Sequence, residues 1–262
     1  MNKLIVTHNA GLFSCMSQRL RAIIVYANEH KIFPKIVDSS QQFMLYKQNQ
    51  DNDITNFFLD QDIPQELSYT EHIDFTDQFT DYSKLNFNIL SPIINQYFFP
   101  SNFVTKKVLY FENKYNIQYS NLCSVFYRGN DKALECKLAT HDDFIKRAKI
   151  VKNLNRNIRF LVQTDDLVFL QLFLAEFENS IHIAELPAIN RPSTSVTALL
   201  DVNNRINFAI DFIAAVIVVS RCNIMITHSG NCGYWASLYR GSSTNIIQHF
   251  TNEANNNYGW IS

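Results

Sequence analysis

The chain has 262 residues, with 23 lysines and arginines against 24 aspartates and glutamates, and a formal charge of −1. That balance, with a sequence pI near 6.6, excludes a global attraction to nucleic acid or anionic lipid. With 47% hydrophobic, 13% aromatic and 18% charged residues, the chain can bury a core and is not a disordered segment.

No apolar run reaches the roughly 18–20 residues of a membrane-spanning helix, and the longest, Phe208 to Ser220, contains Asp211. Met1 to Val6 reads as a short strand rather than a targeting signal. The cysteines Cys15, Cys123, Cys136, Cys222 and Cys232 are odd in number and lack metal-ligand spacing, so buried thiols in a reducing compartment are expected. The expected location is the cytoplasm. Abundant Asn, Ile, Phe and Tyr with little Gly or Pro fit AT-rich coding in a bacterium or a virus, and for a virus the host cytoplasm is meant.

Lys3–Thr7 reads as a strand, Asn9–Ser14 as the loop after it and Ser17–His30 as a helix with Leu20, Ile23, Ile24 and Ala27 on one face. Phe33–Asp38 follows as a second strand, making a β–loop–α–β opening. From Gln41 to Thr80 no periodicity lasts, and short helices with irregular loops are expected. The Asp51-Asn52-Asp53 run there reads as loop, and Tyr26, Phe43 and Tyr46 as core. Ser91-Pro92 and Phe99-Pro100 punctuate a helical region ending near Tyr119.

The second half alternates regularly. Strands are expected at Leu122–Tyr127, Ile158–Gln163, Ile181–Ala184, Asn223–Thr227 and Asn245–His249. Helices are expected at His141–Val151, Leu167–Phe177, Arg205–Ser220 and Gly233–Tyr239. This pattern predicts parallel βαβ units, arranged as two lobes over residues 1–119 and 120–262 with a cleft between them.

Ligands of parallel α/β sheets sit beyond the carboxyl ends of the strands, and every such end here is polar. His8 to Ser14 follows the first strand, Arg128-Gly129-Asn130-Asp131-Lys132 the third, Thr164-Asp165-Asp166 the fourth, and His228-Ser229-Gly230-Asn231 the sixth. Arg128 offers a planar fork suited to a phosphate, or a loop ion pair with Asp131. Ser229, Gly230 and Asn231 precede a helix whose N-terminus suits a diphosphate, although simple capping would also explain them. Asp165 and Asp166 fit an acidic metal pair or a helix cap. Glu135 could act as a base or sit solvated, and His8 and His228 read first as hydrogen-bonding loop residues. No GxGxxG, GK[ST], GxSxG or HExxH occurs, which removes dinucleotide oxidoreductases, P-loop NTPases, serine hydrolases and zincins as first choices.

Three blocks in order in the second half, and one stretch near the N-terminus, resemble the fucosyltransferase superfamily of GT-B glycosyltransferases. Val125-Phe126-Tyr127-Arg128-Gly129-Asn130-Asp131-Lys132 resembles its His-x-Arg-x-x-Asp-Lys block, with Phe126 where the family often has His. Leu161 to Asp166 resembles a strand ending in Thr-Asp-Asp, Asp211 to Asn231 an apolar helix followed by a polar strand end, and Gly11 to Leu20 the family's opening glycine loop.

The resemblance implies an α/β, GT-B-like fold with two Rossmann-like lobes, and a metal-independent inverting transfer of a sugar, foremost fucose from GDP-fucose, to a glycan acceptor. Arg128 would stabilise the leaving diphosphate and Glu135 would be the acceptor base. Gly11, Phe13, Asp131, Lys132, Asp165, Asp166, His228, Ser229, Gly230 and Asn231 would hold the donor, with Asp211 at the guanine edge. No cofactor or metal, no nucleic acid and no membrane span would be involved. The alternatives are a nucleotide- or glycan-binding protein of this fold without catalysis, for which Phe126 speaks, and an enzyme using another nucleoside-diphosphate sugar.

Overall fold

A computed structural model describes residues 3–48, 52–60, 67–190, 193–252 and 257–261. Asp51, in the acidic run read as loop, lies outside the described residues. The chain opens with β1 (Lys3–His8), α1 (Leu12–His30) and β2 (Ile36–Gln42), with β1 and β2 parallel. Helix α1 starts five residues before the expected Ser17, because Leu12, Phe13, Cys15 and Met16 are apolar at helical spacing and all buried. Half of the expected loop, Leu12 to Ser14, is therefore the first turn of a helix with Gly11 at its N-cap position. The second strand lies later than expected, since Phe33 and Pro34 belong to the connection.

Among the described residues that follow, short helical turns at Met44–Tyr46 and Thr55–Phe57, as expected, and at Tyr82–Lys84 precede α2 (Phe87–Tyr97) and α3 (Asn102–Lys114), the latter capped by the Ser101 hydroxyl accepting from Val104 N–H. The second half contributes β3 (Leu122–Tyr127), α4 (His141–Leu154), β4 (Arg159–Thr164), α5 (Leu167–Glu176), the short α6 (Val196–Leu199) and α7 (Val202–Arg221). It ends with β5 (Ile224–His228), α8 (Asn231–Arg240), β6 (Ile246–Asn252) and β7 (Asn257–Ile261). Every residue of β3 is buried, as a central parallel strand requires.

The large sheet runs β4-β3-β5-β6-β7, parallel except for the antiparallel β6–β7 pair. Strand β7 had no counterpart in the sequence expectation, and the expected strand at Ile181–Ala184 is reduced to a bridge between Ile181 and Leu161. The chain passes from β3 to β4 on one side and returns to β5 on the other. The topological switch point, where such sheets open a crevice, thus lies between β3 and β5. The first sheet has two strands, so the amino-terminal half is the smaller of the two α/β units.

One buried cluster runs from Val6 through Phe111 and Ile213 to Trp235 and Ile246, spanning both sides of residue 119. Among the described residues, α7 is the one helix long and apolar enough to cross a membrane by length and composition alone. In this fold it packs on α3, β3 and α8, with Ile213 to Ser220 buried. Helices α1 and α8 meet at Ser17, whose hydroxyl accepts from Trp235 Nε1 (3.0 Å) and donates to Asn231 Oδ1 (2.8 Å). Trp235 is fully buried and also packs on Phe13 and Phe98.

Ser17→Ala would leave the buried Trp235 N–H without its acceptor at a cost of about 1–3 kcal/mol. A fall in the urea midpoint at unchanged slope, corresponding to a loss of that size, is the expected result.

Candidate functional site

A cavity of about 350 Å³ opens beyond the carboxyl ends of β1, β3, β4 and β5. Gly11 borders it from the first sheet, while Arg128, Asp165 and His228 border it from the second. Gly230 to Gly233 close it from the start of α8, and Phe208 and Phe212 of α7 give it an aromatic wall.

Arg128 leaves β3 at the switch point and is held on three sides. Its Nε donates to Asp165 Oδ2 (2.7 Å), its Nη2 to Asp131 Oδ1 (2.6 Å) and its Nη1 to the Cys232 sulfur (3.2 Å). Burial by itself would disfavour the charge, but Asp165, Cys232 and Asp131 outweigh it and raise the pKa well above the ordinary arginine value. The two carboxylates differ in environment. Asp165 is nearly buried and also accepts from Gly129 N–H (2.9 Å), so it is a fixed orienting group. Asp131 is more open to solvent. Its contact is the one that an incoming anion could displace.

His228 ends β5, and both of its ring nitrogens are engaged. Nε2 accepts from Arg128 N–H (2.9 Å), which makes Nδ1 the protonated nitrogen, donating to Ser229 O at 2.7 Å. Burial lowers its pKa to about 3, and the Lys132 and Arg128 charges act in the same direction against the Ser229 hydrogen bond. The side chain is a neutral tie between the ends of β3 and β5.

The turn into α8 needs glycine at two places. Gly230 has φ 155° and ψ 157°, a region that only glycine occupies readily. A Cβ on Gly233 would lie 2.7 Å from both His228 O and Thr227 Oγ1, so the close seat of α8 on β5 depends on its absence. Cys232 and Gly233 are the second and third residues of the helix, where amides have no carbonyl one turn back, and both border the cavity. Lys132 is buried, and its ammonium donates to Glu135 Oε2 (2.6 Å) and Gln78 Oε1 (2.9 Å). Half of the Glu135 side chain is open to solvent.

The structure therefore gathers Gly11, Phe13, Arg128, Asp131, Lys132, Glu135, Asp165, His228, Gly230 and Asn231 around one cavity. Three expected residues are placed otherwise. Asp166 caps α5 by accepting from Val168 and Phe169 N–H and meets His141, so its carboxylate faces away from the cavity lining. Ser229 is fully buried and accepts from Gln248 Nε2 and Thr251 N–H. Asp211, in the middle of α7, pairs with Lys107 of α3 at 2.9 Å, because three further helical turns carry the chain away before β5 begins. Burial raises its pKa against the pull of Lys107.

Other lining residues were not singled out from the sequence. Gln78 comes from the stretch without periodicity. Its side-chain oxygen also accepts from Asn231 N–H (2.8 Å), and its backbone oxygen from Gly230 N–H. Tyr46, read as core, is buried, yet its hydroxyl accepts from Leu12 N–H beside the cavity. Gln163, the last-but-one residue of β4, lies on the cavity floor. Its polarity within an apolar strand was the available signal. Among the described residues, no group of three or more His, Cys, Asp or Glu side chains is placed to hold a metal ion.

No protein-family model matches the sequence, and no curated protein does. Solved structures do match. A structure of NodZ α-1,6-fucosyltransferase soaked with GDP-fucose superposes with a TM-score of 0.60 at 10% identity, covering 100% of this chain and 99% of that one. Fucosyltransferase NodZ from Bradyrhizobium gives 0.58 at 10% identity, covering 100% and 98%. The fold is NodZ-like. A third match, NodZ co-crystallised with GDP, covers 65% of this chain and 50% of its own at a TM-score of 0.41, too low to add to the comparison. At these identities the likeness is one of fold, and it agrees with the α/β architecture of parallel sheets expected from the sequence.

The unfolded chain takes up a proton at His228 near pH 6.5, whereas the folded chain does so only near 3. Between those values the unfolded state binds more protons, so stability is lost as the pH falls through this window. Urea midpoints measured across it should fall less steeply for His228→Gln than for the wild type, and parallel curves would contradict the assignment.

Proposed function

We propose that the chain is a glycosyltransferase that takes a nucleoside-diphosphate sugar, GDP-fucose foremost, and transfers the sugar to a glycan acceptor with inversion and without a metal ion. The observation that carries this reading is Arg128, oriented by Asp165 and touching the start of α8 through Cys232, beside a cavity at the switch point of a NodZ-like fold. A guanidinium, a buried ammonium and a helix N-terminus together supply the positive potential that a divalent cation gives elsewhere.

In the proposed step an acceptor hydroxyl attacks the anomeric carbon in line. Its proton passes to the Glu135 carboxylate as the new C–O bond forms. The bond from the anomeric carbon to the β-phosphate oxygen breaks, and its electron pair leaves on the nucleoside diphosphate. Arg128 stabilises the charge that builds on the leaving oxygen, having exchanged Asp131 for phosphate while Asp165 keeps hold of Nε. Lys132, now paired with Glu135, turns toward the diphosphate and frees the carboxylate to accept the proton.

A second reading has one specific observation behind it. Arg128 is already paired with two carboxylates, which suits a nucleotide- or glycan-binding protein of this fold that performs no transfer. Release of GDP from GDP-fucose in the presence of acceptor glycans separates the two, since only transfer or hydrolysis produces it.

The direct test is a thermal-shift and calorimetric panel of GDP, UDP, ADP and CMP in EDTA. A ligand at 100 times its Kd should stabilise the chain by about 2.7 kcal/mol. GDP is expected to give that shift in EDTA. Arg128→Ala should abolish it and lower turnover by roughly 10²–10³-fold, the usual effect of removing a donor aimed at developing negative charge. Near-normal binding and transfer by the variant would refute the assignment. Asp131→Asn removes the competing carboxylate, and its expected result is tighter GDP binding.

A further inference from the structure

Strands β4, β3 and β5 are in parallel register, so that Gln163, Phe126 and Thr227 stand side by side on the same face of the sheet. All three reach the cavity and form its floor. Phe126 is 2% exposed and offers no hydrogen bond. Gln163 is also only 2% exposed, yet its Oε1 has no hydrogen-bond partner. A buried amide oxygen left unpaired is costly, and such groups in folded proteins call for a reason. Here the reason is available in the cavity itself.

Building on the nucleotide-sugar reading above, we propose that Gln163 is the residue that reads the nucleobase of the donor, its Oε1 accepting a ring or exocyclic N–H of the base. Three observations converge on the base rather than on the sugar or phosphates. The phosphate-suited Arg128 follows β3 at the level of Asp165, two residues beyond Gln163 on the neighbouring strand, so the amide lies roughly 6–7 Å deeper along the strand direction. Phe126 flanks it, and Phe13, Phe208 and Phe212 wall the same cavity, surroundings that suit a flat ring and its stacked face. Asp211, the carboxylate expected at the base edge, is engaged by Lys107 and is not part of the lining. Gln163 therefore supplies an uncharged, unpaired acceptor on a floor shared with apolar Phe126 and with Thr227, whose hydroxyl donates to His228 O (3.4 Å).

Gln163→Met keeps the length of the side chain and removes both of its hydrogen-bonding groups. The probes are GDP and inorganic pyrophosphate, titrated calorimetrically into wild type and variant, together with the melting temperature of the unliganded chain. The expected result is a GDP Kd raised about tenfold or more, which is the effect of losing one buried hydrogen bond to the ligand. Pyrophosphate affinity should change less than about twofold, the level of ordinary additivity between separate contacts. The unliganded melting temperature should hold or rise, because an unpaired polar group has been taken out of the interior. Unchanged GDP affinity would remove the role of Gln163 and leave the nucleotide site standing. Equal losses for GDP and pyrophosphate, or a lowered melting temperature, would assign Gln163 to the structure rather than to the base. A wild type that binds neither probe would overturn the nucleotide reading and this inference together.

Discussion

The arrangement turns on one serine hydroxyl. Ser17 stands in the first turns of α1, accepts from Trp235 and donates to Asn231, the residue that begins α8. Through these two bonds the helix that follows β1 is locked to the helix that follows β5. Both helices start at the cavity, so the contact fixes how the first sheet faces the second. Trp235 can be fully buried there because its one polar atom is satisfied, and its ring then serves as the anvil for Phe13 and Phe98. The segment from Thr76 to Tyr82 adds a third layer to the same junction. Tyr234 reaches the carbonyl of Thr76, Gln78 takes the amides of Gly230 and Asn231, and Tyr82 N–H meets Gln248 of β6. Residues far apart in the chain thus set the position of one helix start.

That positioning matters because the charges at the cavity are crowded. Arg128 and Lys132 face Asp131, Asp165 and Glu135, and neutral His228 adds no charge to the set. A positive histidine beside Arg128 would repel it. Keeping His228 neutral also keeps its Nε2 available as the acceptor for Arg128 N–H, which holds the backbone at the exit of β3 against the exit of β5. The buried Asp165 and the more open Asp131 then divide the work on one guanidinium. One orients it, and in the proposed function the other gives up its place to the diphosphate of the donor. Such an exchange replaces one charge-assisted pair by another, so binding need not leave a cation without a partner in a half-buried site.

Much of the large sheet was legible in the sequence because burial on both faces gives parallel strands a continuous apolar signature. Leu122–Tyr127 coincides with β3, and the polar residues just after β3, β4 and β5 do gather where strand ends meet. The start of α1 is not legible locally, because the burial of Leu12, Phe13 and Met16 that extends the helix is against partners distant in sequence, Phe212 among them. Gln78 could not be found by any local rule. Its function is wholly tertiary, and its neighbours Asp77 and Phe79 give it no periodic context. Ser229 and Asp166 carry the residue types of a ligand site, yet their atoms are used up by β6 and by the α5 cap. Residue type at a strand end indicates that a polar group is needed there. It does not distinguish a ligand from the protein's own unpaired amides.

The same distinction, applied in reverse, picks out the groups that the protein leaves incomplete. Thr164, between Gln163 and Asp165, bonds Asp166 N–H, and Asp165 serves Arg128 and Gly129, so two consecutive polar residues at the end of β4 are spoken for by the fold. Gln163 precedes them with an oxygen that no neighbour takes. Its face of the sheet continues down through Leu161 into the main core, where a leucine or methionine would pack without penalty. An oxygen left unpaired beside the apolar Phe126 is what the proposed base contact would explain, as strain and unpaired groups tend to persist where function needs them. The aromatic neighbour Phe126 sharpens that point. It offers no hydrogen bond of its own, and the Thr227 hydroxyl on its other side donates to His228 O, so Gln163 Oε1 is the acceptor on this floor that the described residues leave without a partner.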